Sequence, residues 1–255
     1  MTGSLPLTGI EIEGYRSVRK LHVPVGHLTV LSGRNGVGKT NLYRALQLMA
    51  AAASGTITRE IAEEGGVESV LWAGPRPRGK PIRLRLAATL GDYRYAIEIG
   101  LPNPTEAAIS RAEPLVKEET LAYAADRRAV VMHRKGPSAW LRDGSGKRHS
   151  FERVLLASET ALAIFQDPAL FAEVGAIRDV LLGWRFYHGF RTDPSSPVRR
   201  PPLALTTPTL SSDGSDLAAA LGTAILISDR AEIDAVIADA FPGAALDVVI
   251  ENGVA

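Results

Sequence analysis

Eight consecutive residues near the N-terminus constrain the fold of this chain more than any other feature. Residues 33–40 read Gly-Arg-Asn-Gly-Val-Gly-Lys-Thr, which fits the phosphate-binding pattern G-x-x-x-x-G-K-[ST]. The three glycines let the backbone curl so that several N–H groups point at one anion. The pattern predicts that Lys39 reaches the β- and γ-phosphates of a nucleotide and that the Thr40 hydroxyl ligates Mg²⁺.

The segments on either side predict the strand–loop–helix unit that such a loop requires. Residues 27–32 (His-Leu-Thr-Val-Leu-Ser) predict a short buried strand, and residues 40–50 predict a helix with Leu42, Leu46 and Met49 on one face. The N-terminus of that helix would point its positive end at the phosphates. The alternative, a glycine-rich turn that only resembles the motif, does not require this context. The predicted nucleotide contacts are Gly33, Asn35, Gly36, Val37, Gly38, Lys39, Thr40 and Asn41, with Thr40 also at the metal.

Composition excludes several other classes of protein. Hydrophobic residues make up 45% of the 255 residues and charged residues 22%, as in ordinary globular chains. The absence of cysteine excludes disulfides and thiol nucleophiles, and the five histidines lack metal-ligand spacing. There is no apolar run of about 20 residues and no signal-peptide pattern at the start, so we expect a cytoplasmic protein without a membrane partner.

The net charge of +1 makes no global case for nucleic acid, but one stretch is basic. Residues 76–85 hold five cations among prolines and glycines, which suggests an exposed loop running into a strand. Such a loop is either a contact for a phosphate backbone or simply a solvated segment. DNA and a protein partner both stay open at this point. The stretch contains Arg76, Arg78, Lys80, Arg83 and Arg85.

Hydrophobic periodicity predicts a β-rich lobe over residues 1–150, which contains the phosphate-binding loop, and a mainly helical lobe over residues 151–255 with an incomplete core. Strict alternation predicts strands at 9–14 and 18–23, and a hairpin of 82–86 with 93–99 around Gly91-Asp92. Further strands are predicted at 113–123, 127–133 and 138–142. Helical spacing is predicted over 170–181, 215–229 and 231–241, and residues 245–250 predict a final strand.

Two motifs in the first 42 residues point to a family. Residues 10–17 run Ile-x-Ile-x-Gly-Tyr-Arg-Ser, and residues 28–42 run Leu-x-Val-Leu-x-Gly-x-Asn-Gly-x-Gly-Lys-Thr-Asn-Leu. Together they resemble the start of RecF/SMC-like ATPases, the ABC-type branch of P-loop proteins that is often catalogued among bacterial AAA family ATPases. Weaker similarity continues through residues 64–66, 184–187 and 212–217.

The resemblance implies an α/β P-loop NTPase fold: a RecA-like core with the N-terminal antiparallel β subdomain of an ABC-type ATPase head, plus a helical segment. It implies ATP and Mg²⁺ as cofactors. It also implies an ATP-dependent homodimer of heads, in which each ATP lies between the P-loop of one head and an L-S-x-G signature of the other. By its position in the motif, Arg16 would approach the nucleotide.

The chain departs from the family pattern in its C-terminal part. After the P-loop we find no apolar strand followed by Asp-Glu; Asp234 and Asp247 are the nearest candidates for the Walker B acid, and neither follows such a strand. Residues 210–214, Leu-Ser-Ser-Asp-Gly, imitate the signature with one extra residue. We therefore expect a C-terminally truncated or split ATPase whose catalytic residues lie elsewhere. Such a chain would bind Mg·ATP and hydrolyse it slowly.

Two functions from different classes follow. The first is an ATPase head of the RecF/SMC-like type in DNA repair, genome maintenance or bacterial defence. The second is a nucleotide-gated dimerisation or partner-binding module without significant turnover. A GTPase or small-molecule kinase would have a similar loop, but the N-K-x-D string that a GTPase uses for guanine does not occur.

Overall fold

The computed structural model describes residues 5–75, 83–102 and 112–254, and its largest feature is an eight-stranded sheet. The spatial order is β2-β1-β3-β4-β5-β6-β7-β8, and each neighbouring pair is antiparallel. The strands are β1 (Leu7–Tyr15), β2 (Val18–Pro24), β3 (Arg83–Leu90), β4 (Tyr93–Gly100), β5 (Leu115–Tyr123), β6 (Val130–Lys135), β7 (Ser138–Arg142) and β8 (Arg148–Phe151). The fold is therefore mixed α/β with an antiparallel sheet.

Local sequence explains most of these strands. The β3–β4 hairpin closes at Gly91-Asp92 as alternation predicts, with Leu86 opposite Ile97. Gly91 has φ 55°, a left-handed conformation that glycine adopts without strain. The predicted strands at 9–14, 18–23 and 138–142 are confirmed. Residue 82, the first of the predicted hairpin, lies outside the described residues.

Alternation divides the sheet into an inner and an outer face. One line of cross-strand partners on the inner face is apolar and almost fully buried, namely Ile12, Leu86 and Ile97. The adjacent line on the outer face contains charged pairs, such as Glu13 opposite Arg85. The inner face is thereby available to pack against helices.

Five helices belong to the same part of the chain as the sheet: α1 (Lys39–Ser54), α2 (Ile57–Glu63), α3 (Val67–Val70), α4 (Ala161–Ile164) and α5 (Ala172–Leu182). Helix α1, predicted at 40–50, buries Leu42, Leu48 and Met49, and each such side chain contributes about 1.5–3 kcal/mol. It contacts β1, β3 and α5 and ends at Gly55, which has φ 81°. Packing thus fixes the helix that follows the phosphate-binding loop.

The chain divides into two compact units, Met1–Trp184 and Arg185–Ala255. The first contains the sheet and α1–α5. The second contains α6 (Leu217–Ile227) and α7 (Arg230–Ala240), close to the predicted helices. The division into lobes at residue 150 stays a prediction. No helix among the described residues is long and apolar enough to cross a membrane.

Two predicted strands are wrong. Residues 27–32 and 245–250 form no strand, and Leu28 and Val30 are 85% and 77% exposed. Ile250 in the second segment is 61% exposed. A run of strand-forming residues becomes a strand only where a neighbouring strand accepts its backbone hydrogen bonds, and within the described ranges no strand is paired with either segment.

Candidate functional site

Residues 33–40, the predicted phosphate-binding loop, lead directly into α1, but residues 27–32 before them form no strand, although the motif calls for a strand, a loop and a helix. Gly36 and Gly38 have φ 84° and 101°, conformations in which a Cβ atom is strained. Gly38 is the N-cap of α1, so the N–H groups of Lys39 and Thr40 fall in the first helical turn and have no intrahelical acceptor. These groups and the helix dipole together make an anion-binding end.

The Lys39 side chain folds back across the loop. Its ammonium group donates hydrogen bonds to the carbonyl oxygens of Gly33 and Arg34, the latter at 3.0 Å. The positive charge therefore lies over the concave side of the loop. The Val37 side chain, by contrast, is exposed.

A cavity of about 380 Å³ lies at this loop, lined by Asn35, Gly36, Gly38, Lys39, Thr40 and Asn41. The Thr40 residue is exposed and follows Lys39 at the start of α1, so its hydroxyl is accessible to a cation from solvent. The lining supplies backbone N–H groups, one ammonium and one hydroxyl, which are groups that can contact a polyphosphate, and it contains no carboxylate. Six of the nine residues predicted at the site thus line a common cavity.

The turn between β1 and β2 supports the loop from one side. Asn41 donates a hydrogen bond from Nδ2 to Ser17 Oγ at 2.7 Å. A Cβ atom on Gly38 would lie 3.0 Å from the same hydroxyl oxygen, so only glycine leaves the neighbour undisturbed. Sequence reasoning placed Asn41 at the nucleotide and did not find Ser17 as its partner.

Arg16, the neighbour of Ser17, has a different contact from the one the resemblance implies. Its guanidinium pairs with Glu64, which also accepts a hydrogen bond from the Tyr15 hydroxyl at 3.1 Å. Burial, with the Glu64 carboxylate nearby, raises the pKa of Tyr15, so the phenol stays protonated and donates. Arg16 does not line the cavity, and its place at the nucleotide stays a prediction. Glu64 itself appeared in the sequence only within a weak family match.

Sequence reasoning missed a buried polar cluster on the inner face of the sheet. Glu119 accepts hydrogen bonds from Tyr95 at 2.9 Å, from Arg134 at 3.4 Å and from the backbone N–H of Ala161 at 2.6 Å. The side chains of Glu119 and Arg134 are both fully buried. Burial raises the pKa of Glu119 above its ordinary value. The alternation of β5 contained a signal for this cluster. Glu119 lies two residues before the buried Leu121, so both side chains face the inner side of the sheet.

This cluster connects the sheet with the far end of α1. Glu119 accepts from the N–H groups that begin α4, and Thr160 caps the same helix by accepting from the N–H of Ala163. Thr160 Oγ1 in turn donates to the carbonyl oxygen of Ala52 in the last turn of α1, at 2.7 Å. The helix that carries Lys39 is thereby held at its C-terminal end by buried hydrogen bonds.

Asp234, a candidate for the Walker B acid, and Asp213, in the segment that imitates the signature, have local structural partners. Asp234 pairs with Arg230 one turn away on α7, at 2.9 Å. In the loop that imitates the signature, Asp213 accepts from Ser211 and from the backbone N–H of Ser215, and this backbone hydrogen bond is the main cause that lowers its pKa. Across the described part of the chain, no cluster of three or more histidine or acidic residues could hold a metal ion.

The basic stretch at 76–85 is only partly described. Residues 76–82 lie outside the described ranges, and with them the predicted loop with Arg76, Arg78 and Lys80. Arg83 and Arg85 both pair with Glu98, at 2.9 and 3.2 Å, and Arg85 also contacts Glu13. These two cations are neutralised within the sheet.

A larger cavity of about 490 Å³ lies on the outer face of strands β1–β5. Its charges are mutually compensated: Arg94 forms two hydrogen bonds with Glu11 at 2.9 and 2.8 Å, and Arg127 adds a third at 2.9 Å. A ligand would have to compete with these pairs. The cavity therefore provides no net field for an anionic substrate.

Comparisons with known proteins add little to this geometry. No protein-family model matches the chain, and no curated protein matches it. A solved structure described as "Structural biochemistry of ATP-driven dimerization and DNA stimulated activation of SMC ATPases" aligns with 92% of this chain and 98% of its own, at 15% identity and a TM-score of 0.28. Similarity at that level supports no argument about fold or function, so the chain is described by its own structure: a mixed α/β protein in which the glycine-rich residues 33–40 lead into the N-terminus of α1.

Proposed function

We propose that this chain binds ATP with Mg²⁺ at residues 33–41. The observation that carries the proposal is the cavity formed by the loop and the first turn of α1, in which Lys39, Thr40 and unpaired backbone N–H groups share one concave surface. Cation, hydroxyl and N–H donors on one helix N-terminus are a set that recognises a polyphosphate.

Each residue has a separate part in this proposal. The backbone at Gly36 and Gly38 surrounds the phosphate chain, which a Cβ atom at Gly38 would disturb. Lys39 exchanges the carbonyl oxygens of Gly33 and Arg34 for the β- and γ-phosphates. Thr40 supplies a hydroxyl ligand to Mg²⁺, which would neutralise phosphate charge, and Asn41 holds the loop against Ser17.

Binding and turnover are separate proposals. The cavity lining contains no carboxylate, whereas phosphoryl transfer to water requires a group that positions the water and a second acid near Mg²⁺. The ATPase head of the RecF/SMC-like type, with a RecA-like core, would need such groups from another part of an ATP-dependent dimer. The alternative is a nucleotide-gated dimerisation or partner-binding module. A role in DNA repair, genome maintenance or defence extends the first of these proposals.

Calorimetric titration of the purified chain with Mg·ATP tests the binding proposal. Lys39→Ala removes two charge-assisted hydrogen bonds to phosphate, so we expect affinity to fall at least about tenfold. Lys20→Ala is the matched control, because this exposed lysine lies on β2 and outside the loop. Unchanged affinity in Lys39→Ala would refute the assignment. Turnover per dimer, measured in the same samples, then separates the ATPase head from the binding module.

A further inference from the structure

The strands at the β8 end of the sheet carry a concentration of positive charge. Residues 127–148 contain seven Lys or Arg residues and one acidic residue, a formal charge of +6 in a chain whose net charge is +1. Arg134 is buried against Glu119, and Arg127 pairs with Glu11. The others have no carboxylate partner within the described ranges. They are Arg128, Lys135, Arg142, Lys147 and Arg148, all exposed.

Two of these cations face each other across a hairpin. Arg142 on β7 is directly opposite Arg148 on β8, and like charges in that arrangement destabilise a strand pair. Arg142 donates to the carbonyl oxygens of Val130 and Gly146, which orient the guanidinium without neutralising it. Among the described residues, no carboxylate forms an ion pair with either guanidinium.

Both of these cations contact one aromatic ring on the outer face. The guanidinium carbon of Arg148 is 4.5 Å from the centre of the Trp140 ring, and that of Arg142 is 5.6 Å from it. The His133 ring on β6 is 5.9 Å from the same ring. Lys135 lies on the same face of the sheet. It is directly opposite Ser138, which lies two residues before Trp140 on β7 and therefore faces the same side.

We propose that this surface, defined by Lys135, Trp140, Arg142 and Arg148 and called here the β6–β8 cationic surface, binds single-stranded nucleic acid. Guanidinium and ammonium groups without carboxylate partners attract a phosphodiester backbone, and the indole ring that Arg148 and Arg142 contact would stack on a base that displaces a guanidinium from it. A duplex keeps its bases stacked inside and cannot use the ring. An acidic peptide would satisfy the cations but not the indole.

The proposal is independent of nucleotide binding at residues 33–41. The β6–β8 cationic surface lies on the outer face of the sheet, whereas α1 packs on the inner side with the apolar residues. Lys39→Ala should therefore leave nucleic-acid affinity unchanged. This separates a failure here from a failure of the proposed ATP site.

Fluorescence anisotropy with a labelled oligothymidylate of 30 nucleotides, without ATP, tests the proposal. Arg148→Glu should weaken binding at least about tenfold at low salt, and the slope of log K against log salt should become about 0.7 less negative for each phosphate that is no longer neutralised. Arg59→Glu is the control with the same change of charge, because Arg59 is exposed on α2 and pairs with Glu63. An equal decrease of affinity in both variants would indicate a general charge effect and overturn the assignment.

Substitutions of Trp140 test separately how much the aromatic ring contributes to binding. Trp140→Ala should weaken oligothymidylate binding, and Trp140→Phe should restore most of it, since phenylalanine also stacks on a base. Unchanged circular dichroism and melting temperature would show that the sheet is intact; if Trp140→Ala unfolds the chain, Trp140→Phe and Arg148→Glu still decide. Equal affinity for a 30-base-pair duplex, or equally strong competition by polyglutamate, would refute single-stranded nucleic acid as the ligand.

Discussion

Replacing Glu119 by alanine should destabilise the first unit more than any surface substitution in the sheet. The change removes the only carboxylate partner of fully buried Arg134 among the described residues, and it leaves the Tyr95 hydroxyl and the N–H groups of Ala161 and Leu162 without their acceptor. Removing one member of a buried ion pair typically costs about 3–5 kcal/mol. Since small proteins are stable by only about 5–15 kcal/mol, this is a large fraction of the total.

The assay is urea unfolding followed by far-ultraviolet circular dichroism, with the free energy obtained by linear extrapolation. The matched control is Glu118→Ala on the same strand, since Glu118 faces outward, is 39% exposed and pairs with His133. We expect the control to be destabilised by less than about 1 kcal/mol, because the Glu118–His133 hydrogen bond is partly exposed and its loss leaves no buried charge unpaired. A destabilisation below about 1 kcal/mol in Glu119→Ala would refute the view that the buried cluster holds the sheet, α4 and the end of α1 together.

Two further substitutions on β1 test the need for glycine at a positive φ and the contribution of one ion pair to stability. Gly14→Ala should cost about 1–3 kcal/mol from its φ of 77° alone, and more because its Cβ would lie 2.3 Å from the carbonyl oxygen of Arg83. Gly9→Ala is its control, since its Cβ meets only ordinary contacts, and equal urea midpoints would contradict the argument. The hydrogen bond from Arg94 chiefly lowers the pKa of Glu11, so this pair stabilises the fold above pH 4.5 and the gain disappears as pH falls through the lowered pKa. Glu11→Gln should therefore flatten the acid side of the stability–pH profile; an unchanged profile would show that the pair contributes nothing.

Local patterns predicted the antiparallel strands well, because a hairpin satisfies its backbone hydrogen bonds with its own neighbour in the chain. The β3–β4 hairpin shows this: alternation, a Gly-Asp turn and the observed register all agree. Helix α1 was predicted for the same reason, from apolar spacing within one element. It extends from Lys39 to Ser54 and ends at Gly55, where glycine predicts the end of the element, and Ala51, Ala52 and Ala53 before that end are also buried.

Patterns that depend on a distant partner were predicted poorly. Residues 27–32 predict a short buried strand, yet Leu28 and Val30 are exposed, because pairing requires a second strand that local sequence cannot supply. The Glu119 cluster joins residues from positions 95 to 161, and no single window contains them. Ser17 and Glu64 were missed in the same way, since each acts through a residue more than 20 positions away.

The sequence by itself determined the chemistry of the loop: glycines where φ is positive, a lysine and a threonine at the start of a helix, and an alternating pattern that specifies two-faced strands. These features are local, so residue type and spacing suffice to predict them. Only the tertiary structure decided that Arg16 pairs with Glu64, that Ser17 contacts Asn41, and that unpaired arginines converge on Trp140. Those contacts join residues from different elements, and their positions follow from sheet register and packing, which no short stretch of sequence encodes.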